Sequence, residues 1–435
     1  MRIDILLKKE GILHLLSFGV FLSLLFPFRV AAQKIVPDSS SKSSLERDAP
    51  LISFIFNTPV EREVYSIYGH LGVRVQGKDG ADFTYNYGVF DFDAPNFTIN
   101  FITGCMDDFR LDKVPSHLYM RGYIYDADLY ELELNLLPEE AKKMEAYLED
   151  NLQPEKAFYR YNFLFDNCST RPYDVVKEIL SGRIELDANA PMLSRREMLD
   201  HCNTKRAWYK LGTDLSLGSQ TDKTVSPEEQ VFLPVYLIDI MRGAQIVSAE
   251  GEKRPLVKEE HFYPQQPFPY ADPYFNAAPV APTPMWLSPT FVFAFIASLI
   301  LLFLLLIRKR NNLYWHSSRT LLIILFLIQG IAGSVIFFLT FFSLHPLVSP
   351  NWNLLFLNPL HLLVGVPSLL FLSKTKLLEY VMGLNIVGQI SYILLLGIIG
   401  IQTSHPALII LAATSLLLSF TIIQCKTQRT YEQKK

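Results

Sequence analysis

The chain has 435 residues, a formal net charge of -3 and 19% charged residues, so its composition gives no reason to expect a nucleic-acid partner. Half of the residues are hydrophobic, and they are unevenly distributed. Most charged residues precede Pro282, whereas the stretch from Met285 to Gln424 is apolar apart from short polar breaks. This division excludes a wholly soluble protein and predicts an aqueous domain followed by a membrane domain.

Residues 1–32 have the layout of a signal peptide. Three basic residues among the first nine precede an apolar run from Ile12 to Phe26, and a Val-Ala-Ala sequence ends at Ala32. The run is near the short end of the length that spans a bilayer, so an uncleaved anchor is the alternative. Both interpretations export the domain that follows. Residues 33–50 are predicted to form a linker.

Residues 51–262 are predicted to form a mixed α+β domain. Alternation of apolar and polar residues predicts strands, whereas proline and acidic residues at capping positions predict helix starts. The predicted strands are Leu51–Phe56, Leu71–Gln76, Phe83–Phe90 and Asp128–Leu136. The predicted helices are Pro138 to about Asn151, Ser169 to Leu180, and one that begins after Ser226 and continues to Met241.

The remainder is predicted to be a proline- and aromatic-rich stem (263–288), a membrane domain (289–425) and a tail (426–435). A helix needs about 20 apolar residues to cross the bilayer core. Five stretches qualify: Pro289–Ile307, Thr320–Ser343, Leu354–Leu372, Leu377–Ile401 and Ala407–Gln424. Lys and Arg occupy alternate breaks and the tail, and breaks 344–353 and 402–406 contain none. The positive-inside rule therefore places the tail in the cytoplasm and the α+β domain on the opposite side.

The chain has four cysteines: Cys105, Cys168, Cys202 and Cys425. In an oxidising compartment, a disulfide among the first three, with one left free, is the ordinary expectation. Chemistry favours Cys168 as the reactive member, because a thiolate at a helix N-terminus is stabilised by backbone N–H groups and the helix dipole. Arg171, in the same first turn, adds a nearby positive charge.

A cysteine nucleophile also needs a base, and His70 is the histidine best placed to be one, at the entry to a predicted strand. A purely structural histidine is the alternative. His201 and Cys202 form a rival pair, but adjacent residues on a helix do not face each other. The histidines show no metal-ligand spacing, so neither a metal nor another cofactor is expected.

Four segments in order carry a resemblance to a known family: Tyr65–Arg74, Tyr85–Phe92, Asn96-Phe97 and Tyr159–Arg171. They resemble the periplasmic domain of Lnb, the lipoprotein N-acyltransferase family of Bacteroides type, which also has a C-terminal membrane domain of five helices. The order of a strand histidine before a helix-start cysteine is similar to that of circularly permuted NlpC-type, papain-like cysteine enzymes. The resemblance implies a permuted papain-like α+β periplasmic domain followed by an all-α bundle of five transmembrane helices in the bacterial inner membrane.

The resemblance also implies roles for individual residues. Cys168 would be the nucleophile and His70 the base, and a polar residue on the neighbouring strand would orient His70. Asn86 is the first choice for that residue and Asp91 the second, because the strand register decides between them. Three further motif residues are expected to contact substrate: Arg171, Tyr68 and Tyr85.

The implied reaction is transfer of a fatty acyl chain, through a Cys168 thioester, to the α-amino group of the N-terminal diacylglyceryl-cysteine of a lipoprotein. The expected partners are a lipoprotein acceptor, the membrane, and an acyl donor that is either a phospholipid or a lipoprotein. One alternative is a membrane-anchored peptidase or amidase that acts on cell-wall peptide. The other is a non-enzymatic binding or adaptor domain in which Cys168 is a core thiol.

Overall fold

The computed structural model describes residues 48–60, 66–267, 281–373 and 375–432, with side chains as far as residue 429. The predicted signal peptide, most of the predicted linker and residues 268–280 of the predicted stem therefore lie outside the described residues.

A seven-stranded antiparallel sheet forms the centre of the exported domain. Its strands are β1 Leu51–Asn57, β2 His70–Gln76, β3 Asp82–Val89, β4 Phe109–Pro115, β5 Leu129–Leu134, β6 Phe158–Tyr159 and β10 Val257–Tyr263, in the order β10-β5-β1-β2-β3-β4-β6. A second, three-stranded sheet contains β7 Gly182–Glu185, β8 Gln245–Ser248 and β9 Lys253–Pro255. Central strands β1 and β2 each have neighbours on both sides, which suits their nearly continuous burial.

Helices cover both faces of the larger sheet. They are α1 Phe97–Thr103, α2 Ser116–Tyr123, α3 Pro138–Asn151, α4 Pro154–Ala157, α5 Thr170–Ile179, α6 Arg195–Cys202, α7 Ala207–Ser216 and α8 Pro234–Gly243. The main core joins strand residues such as Val73 to Met144 of α3 and Val176 of α5. On the other face, Tyr119 of α2 packs with Ile55, and its ring lies where a side chain on Gly72 would be. The central strands of the sheet are thus buried on both sides.

The four predicted strands and the helix that begins at Pro138 are present within one or two residues of the expected bounds. The helix predicted after Ser226 is divided into a 3₁₀ turn, Pro227–Gln230, and α8, because Pro234 cannot donate a backbone hydrogen bond and begins a new helix instead. Sequence patterns did not predict α1, β4, α2 or the second sheet.

The membrane domain contains α9 Pro289–Ile307, α10 Asn311–Phe342, α11 Val366–Phe371, α12 Lys376–Tyr392 and α13 Pro406–Glu432. Within the described residues, four helices are long and apolar enough to cross a membrane: Pro289–Ile307, Asn311–Phe342, Lys376–Ile399 and Pro406–Arg429. The third predicted span is irregular, with a 3₁₀ turn at Trp352–Leu355 and a π-helical turn at His361–Gly365 before α11. Pro359 lies at this break, where it cannot continue a helical hydrogen-bond pattern.

The irregular span packs closely against α10 because glycines leave room for its backbone. A Cβ atom on Gly333 would lie 2.3 Å from the Asn358 nitrogen, and one on Gly330 would lie 2.8 Å from the Leu362 nitrogen. His361, which is buried here, has its Nε2 atom 2.9 Å from Asn385 Oδ1 on α12. Small residues and buried hydrogen bonds are the usual means of joining helices in a bilayer.

The two ends of the bundle differ in charge, as the topology prediction requires. At one end, Arg429 Nη2 donates to Asn312 Oδ1 at 2.8 Å, and Lys426 pairs with Glu379 at 2.9 Å. At the other end, the Trp352 N–H donates to Gln402 Oε1 at 2.9 Å. Residues 351–373 run between these ends, so within the described part of the bundle an irregular fifth segment accompanies the four continuous helices.

The exported domain is hydrogen-bonded directly to the bundle at several places. After α10, the Leu344 N–H donates to the Thr103 carbonyl of α1 at 2.7 Å. The Gly218 N–H, which follows α7, donates to the Leu347 carbonyl at 2.7 Å. Trp208 of α7 donates from Nε1 to the Leu287 carbonyl at 2.9 Å, just before α9. The described part of the predicted stem therefore lies against the domain, which is docked on the membrane bundle.

Candidate active site

Cys168 lies immediately before helix α5, and Asn167 organises this helix start. Asn167 Oδ1 accepts hydrogen bonds from the backbone N–H groups of Ser169 at 2.7 Å and Thr170 at 3.0 Å. Its Nδ2 donates to the carbonyls of Phe163 and Phe232, so the buried amide is held from both sides. Capping by Asn167 uses the next two N–H groups and leaves that of Cys168 without an acceptor among the described residues.

The register of β2 and β3 brings His70 and Asn86 together. Val73 lies opposite Tyr85, so even-numbered residues of both strands point to the same face of the sheet. His70 Nε2 and Asn86 Oδ1 are 2.6 Å apart. This contact makes Nε2 the protonated donor nitrogen and leaves Nδ1 for Cys168, with which His70 also hydrogen-bonds.

The electrostatics of the pair favour a thiolate and an imidazolium. Burial opposes charge on His70, but the Cys168 charge and hydrogen bonds from Cys168 and Asn86 outweigh it and raise the pKa of His70. Burial likewise opposes charge on Cys168, yet the His70 charge, the His70 hydrogen bond and a backbone hydrogen bond from Leu71 lower its pKa. Such a pair supplies a nucleophile and a proton donor together.

We expect Asn86→Ala to reduce catalytic turnover roughly 10- to 100-fold, because the variant loses the bond that orients His70. The hydrogen bond with Asn86 raises the His70 pKa, so the variant should have a lower His70 pKa. The alkaline limb of the pH–rate profile should therefore move to lower pH. The pH dependence of turnover measures both effects. Asn151→Ala, which removes an amide bonded to Tyr87, is the matched control. An alkaline limb that stays in place would contradict this role for Asn86.

Two of the remaining predicted residues, Asp91 and Tyr85, are not brought to the thiol. Asp91 lies exposed beyond the end of β3 and accepts a hydrogen bond from the Asp93 N–H, so the register selects Asn86 beside His70. Tyr85 points to the opposite face from Asn86, where it is buried and bonded to Glu149. Tyr68 packs edge-on against Phe163. Successive strand residues face opposite ways, so Tyr85 lies on the other face of β3 from Asn86, and its contact with substrate stays a prediction.

Arg171 lies beside the site, but its charge is compensated. It forms an ion pair with Asp166, with Nη2 and Oδ2 3.0 Å apart, and its guanidinium lies 3.7 Å from the centre of the Tyr159 ring. The interactions that lower the Cys168 pKa come from His70, Leu71 and Ser169. Arg171 therefore acts on its aromatic neighbour and not directly on the thiol.

Sequence reasoning missed Gly88 and Tyr123 as parts of the site. The Tyr123 ring stacks on His70 with ring centres 5.8 Å apart. Gly88 has φ +87° at a bulge in β3, and a Cβ atom there would be 3.7 Å from Cys168 Cβ. A glycine inside an alternating strand is a recognised signal for a bulge or a close approach. Tyr123 lies on a helix that no pattern predicted.

An aromatic cluster (Phe90, Phe92, Phe97, Phe101, Phe109 and Tyr161) extends from the site to the bundle. Tyr161, which lies 3.9 Å from the Cβ position of Gly88, stacks on Phe109 at 4.4 Å between ring centres, and Phe109 stacks on Phe90 at 4.8 Å. Phe97 and Phe101 continue the series, and the Phe101 ring meets His345 at 5.8 Å. Apolar contacts thus link the surroundings of Cys168 to the periplasmic end of the bundle.

All four cysteines are described and all are free, so the expected disulfide is absent. Cys202 differs from Cys168 in its acidity, since burial raises the Cys202 pKa to about 12. Among the described residues, Glu133, Glu259 and His261 form the one group with metal-ligating atoms within 4.8 Å of one another. Lys258 already pairs with Glu133 at 2.6 Å, and β1 separates this sheet edge from β2. Neither Cys202 nor this carboxylate–histidine group is therefore part of the candidate active site.

The fold and these residues together define a class: an integral membrane protein whose exported α+β domain holds a cysteine at a helix N-terminus beside a His–Asn pair. Two family models match the chain, the Lnb N-terminal periplasmic domain at residues 47–201 and the Lnb transmembrane domain at residues 281–430. They cover well over half of the chain, which belongs to the Lnb family. It is an inner-membrane, multi-pass protein with a periplasmic N-terminal domain. Neither a curated protein nor a solved structure matches it.

Proposed function

We propose that this protein is an acyltransferase that moves a fatty acyl chain to the α-amino group of the N-terminal diacylglyceryl-cysteine of lipoproteins, with Cys168 as its nucleophile. The observation that carries the proposal is the Cys168–His70–Asn86 group, in which the thiol pKa is lowered and the imidazole pKa raised. Membership of the Lnb family supports the lipoprotein substrate. The arrangement of cysteine before a helix and histidine on a strand supports a permuted papain-like relationship.

The first half-reaction forms a thioester. Cys168 Sγ attacks the carbonyl carbon of an acyl ester, a C–S bond forms, and the C–O bond to the alcohol breaks. His70 gives its proton to the departing alcohol oxygen and becomes neutral. The Cys168 N–H lies beside the reacting carbon and is the natural backbone donor to the negative oxygen of the tetrahedral adduct.

The second half-reaction makes the amide. The α-amino nitrogen of the lipoprotein attacks the thioester carbonyl, an N–C bond forms, and the C–S bond breaks to return the thiolate. Neutral His70 takes the surplus proton from the nitrogen and becomes the imidazolium again. The sum is one ester and one amine converted to one amide and one alcohol, so the enzyme is unchanged.

The location of the site favours lipid substrates over soluble peptide. The domain is hydrogen-bonded to the periplasmic end of the bundle, and the aromatic cluster joins that end to the surroundings of Cys168. Ile99 and Leu344 add exposed apolar surface at the junction, with 61% and 58% of their surfaces accessible. Exposed apolar groups beside a membrane end suit contact with acyl chains.

We expect Cys168→Ala to abolish N-acylation of lipoproteins, a loss of about 10³-fold or more, because the thioester cannot form. Mass spectrometry of lipoprotein N-termini from cells that carry the variant measures the loss. Cys105→Ala, which removes another partly exposed free thiol of the same domain, should leave acylation unchanged.

Unchanged N-acylation in the Cys168→Ala cells would refute the proposed mechanism. Cleaved cell-wall peptide that depends on Cys168, with lipoprotein amines unaffected, would assign the peptidase alternative instead. An acyl thioester recovered on Cys168 of the wild-type protein supports the acyltransferase, and the length of its chain then identifies the kind of donor.

A further inference from the structure

The hydroxyl group of Tyr159 is buried beside Cys168. Tyr159, in the short strand β6, is 7% exposed, and its hydroxyl oxygen has no hydrogen-bond partner among the described residues. Buried phenol groups are normally hydrogen-bonded, since an unsatisfied polar group in the interior costs free energy. An unpaired phenol donor next to a nucleophile is therefore expected to bind an acceptor atom that the substrate supplies.

Gly88 shows where this hydroxyl points. The Cβ position of Gly88 is 3.8 Å from the Tyr159 oxygen and 3.7 Å from Cys168 Cβ, so both side chains face the same small space. Any other residue would fill that space with a side chain, and φ +87° makes glycine the residue that fits there without strain. Gly88 thus keeps open a position next to both the thiol and the phenol.

We infer that the Tyr159 hydroxyl donates a hydrogen bond to the carbonyl oxygen of the acyl group as Cys168 attacks it, and so forms the side-chain part of the oxyanion hole. The inference rests on the proposed function, because it assigns a second donor for the same thioester step. With the Cys168 N–H, the oxygen would receive two donors from different parts of the fold, the turn before α5 and strand β6. No atom is transferred to or from Tyr159 in this role.

The surroundings of Tyr159 suit a donor that keeps its proton. Burial, with help from the charges of Tyr161 and Cys168, raises the pKa of Tyr159 well above its usual value, so the phenol stays neutral at physiological pH. The Arg171 guanidinium lies 3.7 Å from the ring centre and draws electron density from it. A positive group on the ring face makes the hydroxyl a stronger donor, which gives Arg171 an indirect part in the site.

Tyr159→Phe tests the inference because it removes the hydroxyl alone. With p-nitrophenyl octanoate as the acyl probe and the full chain in detergent, we expect thioester formation to be roughly 100-fold slower than in the wild type. Alkylation of Cys168 by iodoacetamide develops no oxyanion, so its rate should change less than about twofold by the same reasoning. The matched control is Tyr87→Phe, which removes a neighbouring buried hydroxyl that already bonds Asn151.

Two outcomes would overturn the inference: thioester formation at the wild-type rate in Tyr159→Phe, or an equal fall in acylation and alkylation. The latter would mean that Tyr159 acts on the thiol and not on the carbonyl. The thermal midpoint of Tyr159→Phe should equal or exceed that of the wild type, since the variant buries one fewer unsatisfied group. If the wild type forms the thioester but lipoprotein amines are never acylated, the proposed function fails while the role of Tyr159 stands.

Discussion

Replacement of His70 by alanine is expected to raise the pKa of the Cys168 thiol and to slow acyl transfer by about 10³-fold. Burial raises the thiol pKa, and the His70 charge and hydrogen bond are the largest of the interactions that lower it; hydrogen bonds with Leu71 and Ser169 add to them. Without His70, the thiolate forms only at higher pH, and no group remains to protonate the departing alcohol. The variant should therefore lose both the nucleophile and the acid at neutral pH.

The rate of iodoacetamide alkylation as a function of pH reports the thiolate directly. We would measure it in a chain whose other three cysteines are serine, so that Cys168 is the single thiol. The midpoint should move to higher pH in His70→Ala and stay in place in His261→Ala, which alters a histidine on β10 at the far edge of the sheet. A midpoint that does not move in His70→Ala would show that Cys168 and His70 do not interact as described.

Replacement of Arg196 by methionine is expected to destabilise the junction between the periplasmic domain and the bundle by about 3–5 kcal/mol, the usual effect of breaking a buried ion pair. Arg196 and Asp214 have 3% and 1% of their side chains exposed and are 3.1 Å apart. Arg196 Nη2 also donates to the carbonyls of Leu217 and Gly218, in the loop that bonds Leu347. Its loss leaves the Asp214 carboxylate buried with less compensation.

The thermal midpoint of the detergent-solubilised protein measures this effect. Arg160→Met is the control, because the Arg160–Asp107 pair is more than half exposed at both residues and such pairs contribute little. The double variant Arg196→Met with Asp214→Leu should recover part of the loss, since it removes the more deeply buried of the two carboxylates that pair with Arg196 and leaves Asp222, which is 20% exposed. A midpoint equal to that of the wild type in the single variant would contradict the role assigned to Arg196.

Local patterns in the sequence determined the division into two domains, the direction of the chain through the membrane and the main strands. These features depend on hydrophobicity, charge and turn residues that lie close together in the chain, so they can be recognised from the sequence alone. Cys168 could be singled out for the same reason, because the helix start that follows it is a local signal. The motif resemblance led to the Lnb family, which the family models confirm.

Only the tertiary structure decided which residues meet. Asn86 and not Asp91 lies beside His70 because the pairing of β2 with β3 sets the register, and a shift of one residue would have exchanged the faces of the strand. The pairing of β6 with β4 places Tyr159 beside Cys168, and the periodicity of the sequence does not predict this pairing. The third membrane crossing likewise packs closely on α10 because Gly330 and Gly333 leave room for its irregular backbone, a contact between distant segments that the hydropathy of either segment does not predict.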